Sequence, residues 1–288
     1  MKLARFDGGR IGIVENGNVL DVTAATGVDT TMWPPVGMVQ LIAKFADKKD
    51  ALVAAAKKAQ PVPLDRVFLE TPIPWPNKLV AIPVNYHAHA IEMSSPAISR
   101  NAGFFIKSNS SLSGASQPII LPDLRGREIH HEAELAVIIG REGRNVRRED
   151  ALDYIFGYAC LLDITVRGKQ ERAMRKSYDT FTPVGPWITT ADEVGDPSDL
   201  DVKLWVNDTL RQSANTRDMI IDVPEIIAMA SSVMTLYPGD IIATGTSEGV
   251  GRIADGEVVT IEISRVGRMS VHVKQGVGGS NIAMPAVI

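Results

Sequence analysis

Two short stretches of the chain carry residue types that could do chemistry together. "EIHHEAELAVIIG", residues 128–140, sets two histidines and two glutamates directly before a run of aliphatics. Glutamate is rarely buried without a partner, so a strand that begins this way and continues as core needs something that tolerates its acids. Alternation along a strand over 130–139 puts His130, Glu132 and Glu134 on one face and His131, Ala133, Leu135 and Val137 on the other. Two carboxylates so placed repel each other unless a cation or a proton lies between them. The next acid within an apolar stretch is Asp163, in "YACLLDITVRGKQ". Glu132, Glu134 and Asp163 make a three-oxygen set suited to a hard divalent ion such as Mg2+ or Mn2+, with the remaining octahedral positions left to water or substrate. Pairing of these acids with basic groups at a strand edge is the alternative. Zinc is not indicated, because the adjacent histidines lack the H-E-x-x-H spacing.

The second stretch, "VNYHAHAIEM" at 84–93, places His89 and Glu92 three apart, so one helical turn brings them together. A carboxylate that holds an imidazole raises its basicity and fixes its tautomer, as a general base for water requires. A surface helix with incidental polar residues would read the same way. Arg167 lies four after Asp163, Gln170 three further on, and Lys176 opens "KSYDTFTPVGP". Cations there would offset the charge of an acid cluster and bind an anionic substrate, or they are solvated surface groups. "ATGTSEGVG", 243–251, lacks the Lys-Ser/Thr end of a phosphate loop; its pattern supports a tight turn that presents the Thr246 hydroxyl and backbone amides.

These residues need a scaffold. The chain has 288 residues, 45% hydrophobic and 22% charged, enough for one large domain or a large and a small one. A formal net charge of −4 argues against nucleic acid or anionic lipid as partner. No apolar run approaches the roughly 18 residues of a membrane span, and the N-terminus lacks the apolar core of a secretory signal. The lone cysteine, Cys160, has no internal partner and sits among aliphatics, so it reads as a small buried hydrophobe, and a cytoplasmic, reduced setting is expected.

"KLARFDGGRIGIVENGNVLDV" alternates short β-rich runs with Gly and Asn-Gly turns, which predicts two or three hairpin-connected strands. "VGMVQLIAKFADKKDALVAAAKKA" predicts an amphipathic helical region, and the three prolines of "TPIPWPNK" a linker. The expected division is therefore a small N-terminal domain at 1–70 and a larger one at 71–288. In the larger part, "FFIKSNSS", "PIILP", "AELAVIIG", "VGPWITT", "LDVKLWVND", "DIIATGT" and "EVVTIEIS" read as short strands. Helices are expected around 149–155, around 168–176 and over "PEIIAMASSVM". Strands outnumber helices, which favours a β-rich α+β class over a regular βαβ repeat. The closing "KQGVGGSNIAMPAVI" reads as a loose tail or a segment packed on a neighbouring subunit.

Taken in order, "NYHAHAIEM", "HHEAELAVIIG", "GYACLLDITVRGKQ", "KSYDTFTPVGP", "VNDTLRQSANT" and "LYPGDIIATGTSEGVG" resemble the successive signatures of the fumarylacetoacetate hydrolase superfamily. The resemblance is closest to its acylpyruvate hydrolase and bacterial 2,4-diketo acid hydrolase branch and runs from about residue 80 to 270. It implies a mixed β-roll catalytic domain with a small N-terminal α/β domain, a cytoplasmic homodimer, and a Mg2+ or Mn2+ site on Glu132, Glu134 and Asp163. It further implies a catalytic dyad of His89 and Glu92 on a segment that becomes an ordered lid. Lys176 is implied as a catalytic cation, with Arg167, Gln170 and Thr246 at the substrate, and Gln212 matches the family's "RQ" pattern. Two positions depart from the pattern: Pro83 stands before "NY", and Ser247 gives "GTS" where "GTP" is usual. The activity expected is metal-dependent hydrolysis of a C–C bond in an acylpyruvate, in the breakdown of aromatic or sugar acids. Decarboxylation of an oxaloacetate-like 2-oxo diacid, hydration or isomerisation of an unsaturated 2-oxo acid, and a non-catalytic metabolite binder are the other members of that range.

Overall fold

Two tight turns organise the first twenty residues into the strands Lys2–Phe6, Arg10–Glu15 and Asn18–Asp21. At the second turn Asn16 and Gly17 both take positive φ, 48° and 76°, as a two-residue hairpin demands. The computed structural model describes residues 1–95, 98–124 and 126–277. The expected helical region becomes two helices, Gly37–Ala43 and Phe45–Ala56, which break at Lys44 and bury Met38, Leu41, Ile42 and Leu52. "TPIPWPNK" forms neither helix nor strand, yet it buries Thr71 and Ile73 and so lies packed on the structure it connects.

The first strand pairs antiparallel with Thr182–Thr190, Leu3 opposite Ile188. Through that pairing the N-terminal strands continue a sheet of twelve strands among the described residues. Onward from Thr182–Thr190 the order is Ile155–Leu162, Ala133–Ile139, Ile241–Ala243, Leu79–Ala81 and Phe105–Lys107. Most pairs are antiparallel, whereas Ile241–Ala243 and Leu79–Ala81 run parallel. A second sheet of five strands includes Asp201–Val206, Thr209–Asn215, Val258–Ile263 and Gly267–Gln275.

Between the two sheets lies one core, to which Leu135, Val137 and Ile139 contribute alongside Leu204, Ile261, Val271 and Val273. Ala136 and Ile138 point the other way, into a second core with Leu41, Ile42 and Leu52. The Ala133–Ile139 strand is thus covered on both faces, which is why its sequence after Glu134 is an unbroken apolar run with no polar alternation. Each Ile or Leu so buried contributes roughly 1.5–3 kcal/mol. The helix Val223–Val233 starts where the Asp222 side chain accepts a 2.9 Å bond from Glu225 N, with a proline in its first turn.

The architecture is the β-rich α+β fold expected. Three local readings differ. Residues 148–154 form a 3-10 turn that feeds directly into the Ile155–Leu162 strand, a strand hidden because "IFGYACLL" has no turn residue at its start. The 168–176 helix shrinks to Arg172–Arg175. The strand expected over 130–139 is interrupted at Glu132, between Ile129–His131 and Ala133–Ile139. Most of the closing tail, 278–288, lies outside the described residues. Among the described residues no helix is long and apolar enough to cross a membrane.

Candidate active site

Strand register builds the acid cluster. Ala133 pairs with Leu162 and Glu134 with Leu161, so the next step of the ladder sets Glu132 against Asp163, and the Asp163 N–H donates to the Glu132 carbonyl at 2.9 Å. Glu134, two residues along the same face, lies diagonal to Asp163. One carboxylate oxygen from each of Glu132, Glu134 and Asp163 lies within 4.8 Å of the others, and all three residues are buried. The two faces expected for 130–134 hold only in part. Glu132 and Glu134 face one cavity, while His130 turns to Glu128 at 2.9 Å. His131, on the opposite face, bonds Gln212 at 3.1 Å.

Cations surround the acids. Lys176 Nζ donates to Glu132 Oε2 at 2.5 Å and to Asp163 Oδ2 at 2.6 Å. Arg167 Nη1 lies 3.3 Å from Glu132 Oε1, while its Nε and Nη2 are buried with no acceptor among the described residues. Lys107 is fully buried, ion-paired to Asp163 Oδ1, and donates to the Phe181 carbonyl at 3.3 Å. Its only sequence signal is a lysine inside the apolar "FFIK", a stretch whose pattern predicts a strand and nothing more.

The balance of charge is uneven. Burial would raise Glu132, but Lys176, Arg167 and His89 more than offset it and hold the carboxyl at about 2. Glu134 goes the other way: burial and the facing Asp163 lift it well above the usual carboxylate value. Its one direct donor among the described residues is the Gly245 N–H at 2.7 Å. Gly245 sits at φ 94°, with the space for a Cβ taken by Asn85 Cβ at 2.6 Å, so only glycine brings that amide to the acid. Three converging carboxylates, one without a cation of its own, form an all-oxygen donor set that fits a hard divalent ion.

His89 and Glu92 lie on the short helix His87–Glu92, with Nδ1 and Oε2 2.9 Å apart. Glu92 Oε1 also accepts from the Gly249 N–H at 3.0 Å, which ties the helix to the 245–250 loop. The base of the helix is held by the fully buried Asn85, whose side chain makes four bonds of 2.8–3.0 Å, to the Ile221 and Thr244 carbonyls, Ser99 Oγ and the Ile221 N–H. Beside it Val84 takes φ 48°, a conformation that costs a β-branched residue about 1–2 kcal/mol.

A cavity of about 290 Å³ joins these parts. His89, Glu132, Glu134, Asp163, Arg167, Lys176 and Thr246 all line it, as do Pro83, Arg172 and Arg175. Gln212 stands behind the wall: its Oε1 accepts from the Ala133 N–H at 3.1 Å, and its Nε2 donates to Thr246 Oγ1 at 2.8 Å and the Ser247 carbonyl at 3.1 Å. Gln170 is not brought to the cavity. Its Oε1 accepts from Arg127 at 3.3 Å, and its carbonyl accepts from Arg175 Nε at 2.7 Å. Cys160 is fully buried with its thiol pushed up to about 12 by burial, so it packs and does not react.

The family described as Fumarylacetoacetate (FAA) hydrolase C-terminal matches residues 78–274. The chain is 40% identical over 286 residues to a maleylpyruvate hydrolase of Aquipseudomonas alcaligenes, covering 95% of this chain and 99% of that one. It is 38% identical over 240 residues to a 2,4-didehydro-3-deoxy-L-rhamnonate hydrolase of a Sphingomonas species, covering 77% and 84%. The maleylpyruvate hydrolase of Sphingobium sp. SYK-6, solved with manganese(II) and pyruvate, superposes with a TM-score of 0.90 at 57% identity, covering 96% of this chain and 100% of that one.

Proposed function

The chain belongs to the fumarylacetoacetate hydrolase family, and on that premise we propose that it is a metal-dependent hydrolase that cleaves a carbon–carbon bond in a 2,4-diketo acid of the acylpyruvate type. One observation carries the reading: the Glu132–Glu134–Asp163 donor set, the His89–Glu92 pair and Lys176 meet at a single cavity. The relative holding manganese(II) and pyruvate, a chelating 2-oxo acid, supports it.

When bound on the three carboxylates, a divalent ion supplies Lewis-acid polarisation of the 2-oxo acid end. Glu92 accepts a hydrogen bond from the Nδ1–H of His89, which leaves Nε2 with a lone pair to accept a proton from water. The water adds to the distal carbonyl. Cleavage of the bond to the neighbouring carbon then releases a carboxylic acid and the enolate of pyruvate, which is protonated on leaving. Lys176, anchored by two carboxylates, presents its ammonium where that negative charge develops. Arg167 has two unsatisfied donors for the substrate carboxylate. Thr246 accepts from Gln212, so its own hydroxyl proton is free to donate to a substrate oxygen. Gln212 acts through Thr246, and Gln170 acts through Arg175.

The all-oxygen donors favour Mg2+ or Mn2+ as the resident ion. A cytoplasmic homodimer, a small N-terminal domain at 1–70 and a catalytic domain at 71–288 complete the proposal. The test is a panel of acylpyruvates assayed with each ion. Metal-dependent release of pyruvate, lost in Glu132→Ala, is expected. Absence of acylpyruvate cleavage, or full activity in Glu132→Ala, overturns the mechanism, and CO2 release from oxaloacetate in its place would indicate a decarboxylase.

A further inference from the structure

The cavity holds more positive charge than its acids use. Arg167, Lys176 and the underlying Lys107 are each engaged with Glu132 or Asp163. Arg172 and Arg175 also line the cavity, and among the described residues neither is paired with a carboxylate. Their placement follows from the single helical turn Arg172–Arg175: positions 172, 175 and 176 share one face, whereas Ala173 and Met174 are exposed on the other. Arg175 is fixed in position by neutral groups, Nε to the Gln170 carbonyl at 2.7 Å and Nη1 to the Val166 carbonyl at 3.1 Å. A guanidinium held by carbonyls keeps its charge and a free edge, and among the described residues Arg172 keeps all of its donors. Both arginines are half-buried, and two cations partly withdrawn from water beside a ligand favour a ligand that brings an anion to them.

We propose that Arg172 and Arg175 form a subsite for a second carboxylate at the acyl end of the substrate, so that the chain prefers dicarboxylic acylpyruvates to those with an uncharged acyl group. This rests on the hydrolase reading above and adds to it which end of the substrate selects. The carboxylate of the 2-oxo acid is provided for elsewhere, by the open donors of Arg167 and the ion. A guanidinium fork accepts a second planar carboxylate through paired N–H···O bonds that a methyl group of similar size cannot make. Selectivity therefore arises from two cations left unpaired when the acyl group is neutral.

The experiment compares succinylpyruvate with butanoylpyruvate, which differ by a carboxylate against a methyl group, in wild type, Arg172→Met and Arg175→Met. Wild type is expected to favour succinylpyruvate in kcat/KM. Each substitution is expected to reduce the succinylpyruvate-to-butanoylpyruvate ratio roughly 10- to 100-fold, chiefly through KM, as loss of a charge-assisted bond implies. Arg172→Lys should recover part of it. Arg175→Met also loses two backbone contacts, so Arg172→Met, which loses none, keeps the result readable if the other folds poorly. An unchanged ratio, or equal losses on both substrates, overturns the subsite, the latter because it would place the arginines on the carboxylate common to both. Should wild type cleave neither compound, the hydrolase reading fails on its own. Calorimetric binding of 2-oxoadipate against 2-oxohexanoate with Mn2+ then decides the subsite, since loss of the preference for 2-oxoadipate in Arg172→Met supports it and no preference in wild type refutes it.

Discussion

Among the described residues are two buried acid–lysine sites, both made by strand register at a strand end, and they are built to opposite specifications. Lys78 and Asp240 each precede a strand of the parallel pair in which Leu79 lies beside Ile241, so the two side chains meet at its start. Asp240 is fully buried, accepts from the Lys78 N–H at 3.0 Å and the Tyr237 N–H at 2.7 Å, and pairs with the Lys78 ammonium. One acid meets one cation, and every oxygen has a donor. At the other site the antiparallel register of Ala133 with Leu162 brings together three acids, two bonded lysines and an arginine with open donors. Glu134 has only a backbone amide. The first site is closed and the second is unfinished. Burial is tolerated at the first because every group is satisfied, and at the second because the cavity is where a ligand completes the set.

The largest effects should separate the two sites most sharply. Glu132→Ala is expected to reduce turnover by at least about a thousandfold and to weaken Mn2+ binding in calorimetry, because it removes one of three donors, while the chain still folds. The reverse holds for Asp240→Ala. It strands Lys78 at the strand's start and should cost about 2–4 kcal/mol in a urea titration, eased by the partial exposure of that lysine, with Mn2+ affinity unchanged. Comparable metal loss from both variants would break the distinction. Next in size, Thr246→Val should lower kcat/KM by about 3- to 10-fold, the share of one neutral hydrogen bond, and cost about 1–3 kcal/mol of stability because the buried Gln212 Nε2 loses an acceptor.

The same contrast explains what could be read from residues alone. The aliphatic run after Glu134 announces a buried strand, and acids at its head are anomalous on any reading, so Glu132, Glu134 and Asp163 were visible as types. What joins them is a pairing between residues 132 and 163, thirty-one positions apart, and no local pattern encodes that register. His89 and Glu92 needed only one helical turn and were legible for that reason. Lys107 was hidden, since a lysine in a three-residue strand resembles an edge position until the tertiary fold encloses it. Arg172 and Arg175 were hidden by the length expected for their helix: a turn of four residues aims them at the cavity, and 168–176 as one helix would not have singled them out. Gln170 shows the converse. Resemblance brought it to the substrate, while the fold sets its side chain on Arg127 and its carbonyl under Arg175.

The smallest expected effect bears most directly on why the acid cluster is unfinished. Burial and Asp163 raise Glu134, so in the folded chain it keeps a proton that the unfolded chain has already released. Such a group adds stability below its unfolded value and withdraws it as pH rises toward the folded one. Without added metal, wild type should therefore lose stability between pH 5 and pH 8 relative to Glu134→Gln, a neutral side chain of the same shape that can still accept from Gly245. Denaturant midpoints of the two proteins at both pH values check this, and parallel midpoints would show that Glu134 is ionised throughout. Metal should reverse the order. An ion displaces the proton from Glu134, so Mn2+ binding to wild type tightens over the same pH range and releases a proton in calorimetry, whereas Glu134→Gln binds weakly and without that release. Asp240 is raised by burial too, but with its lysine in place no added ion should move its protonation.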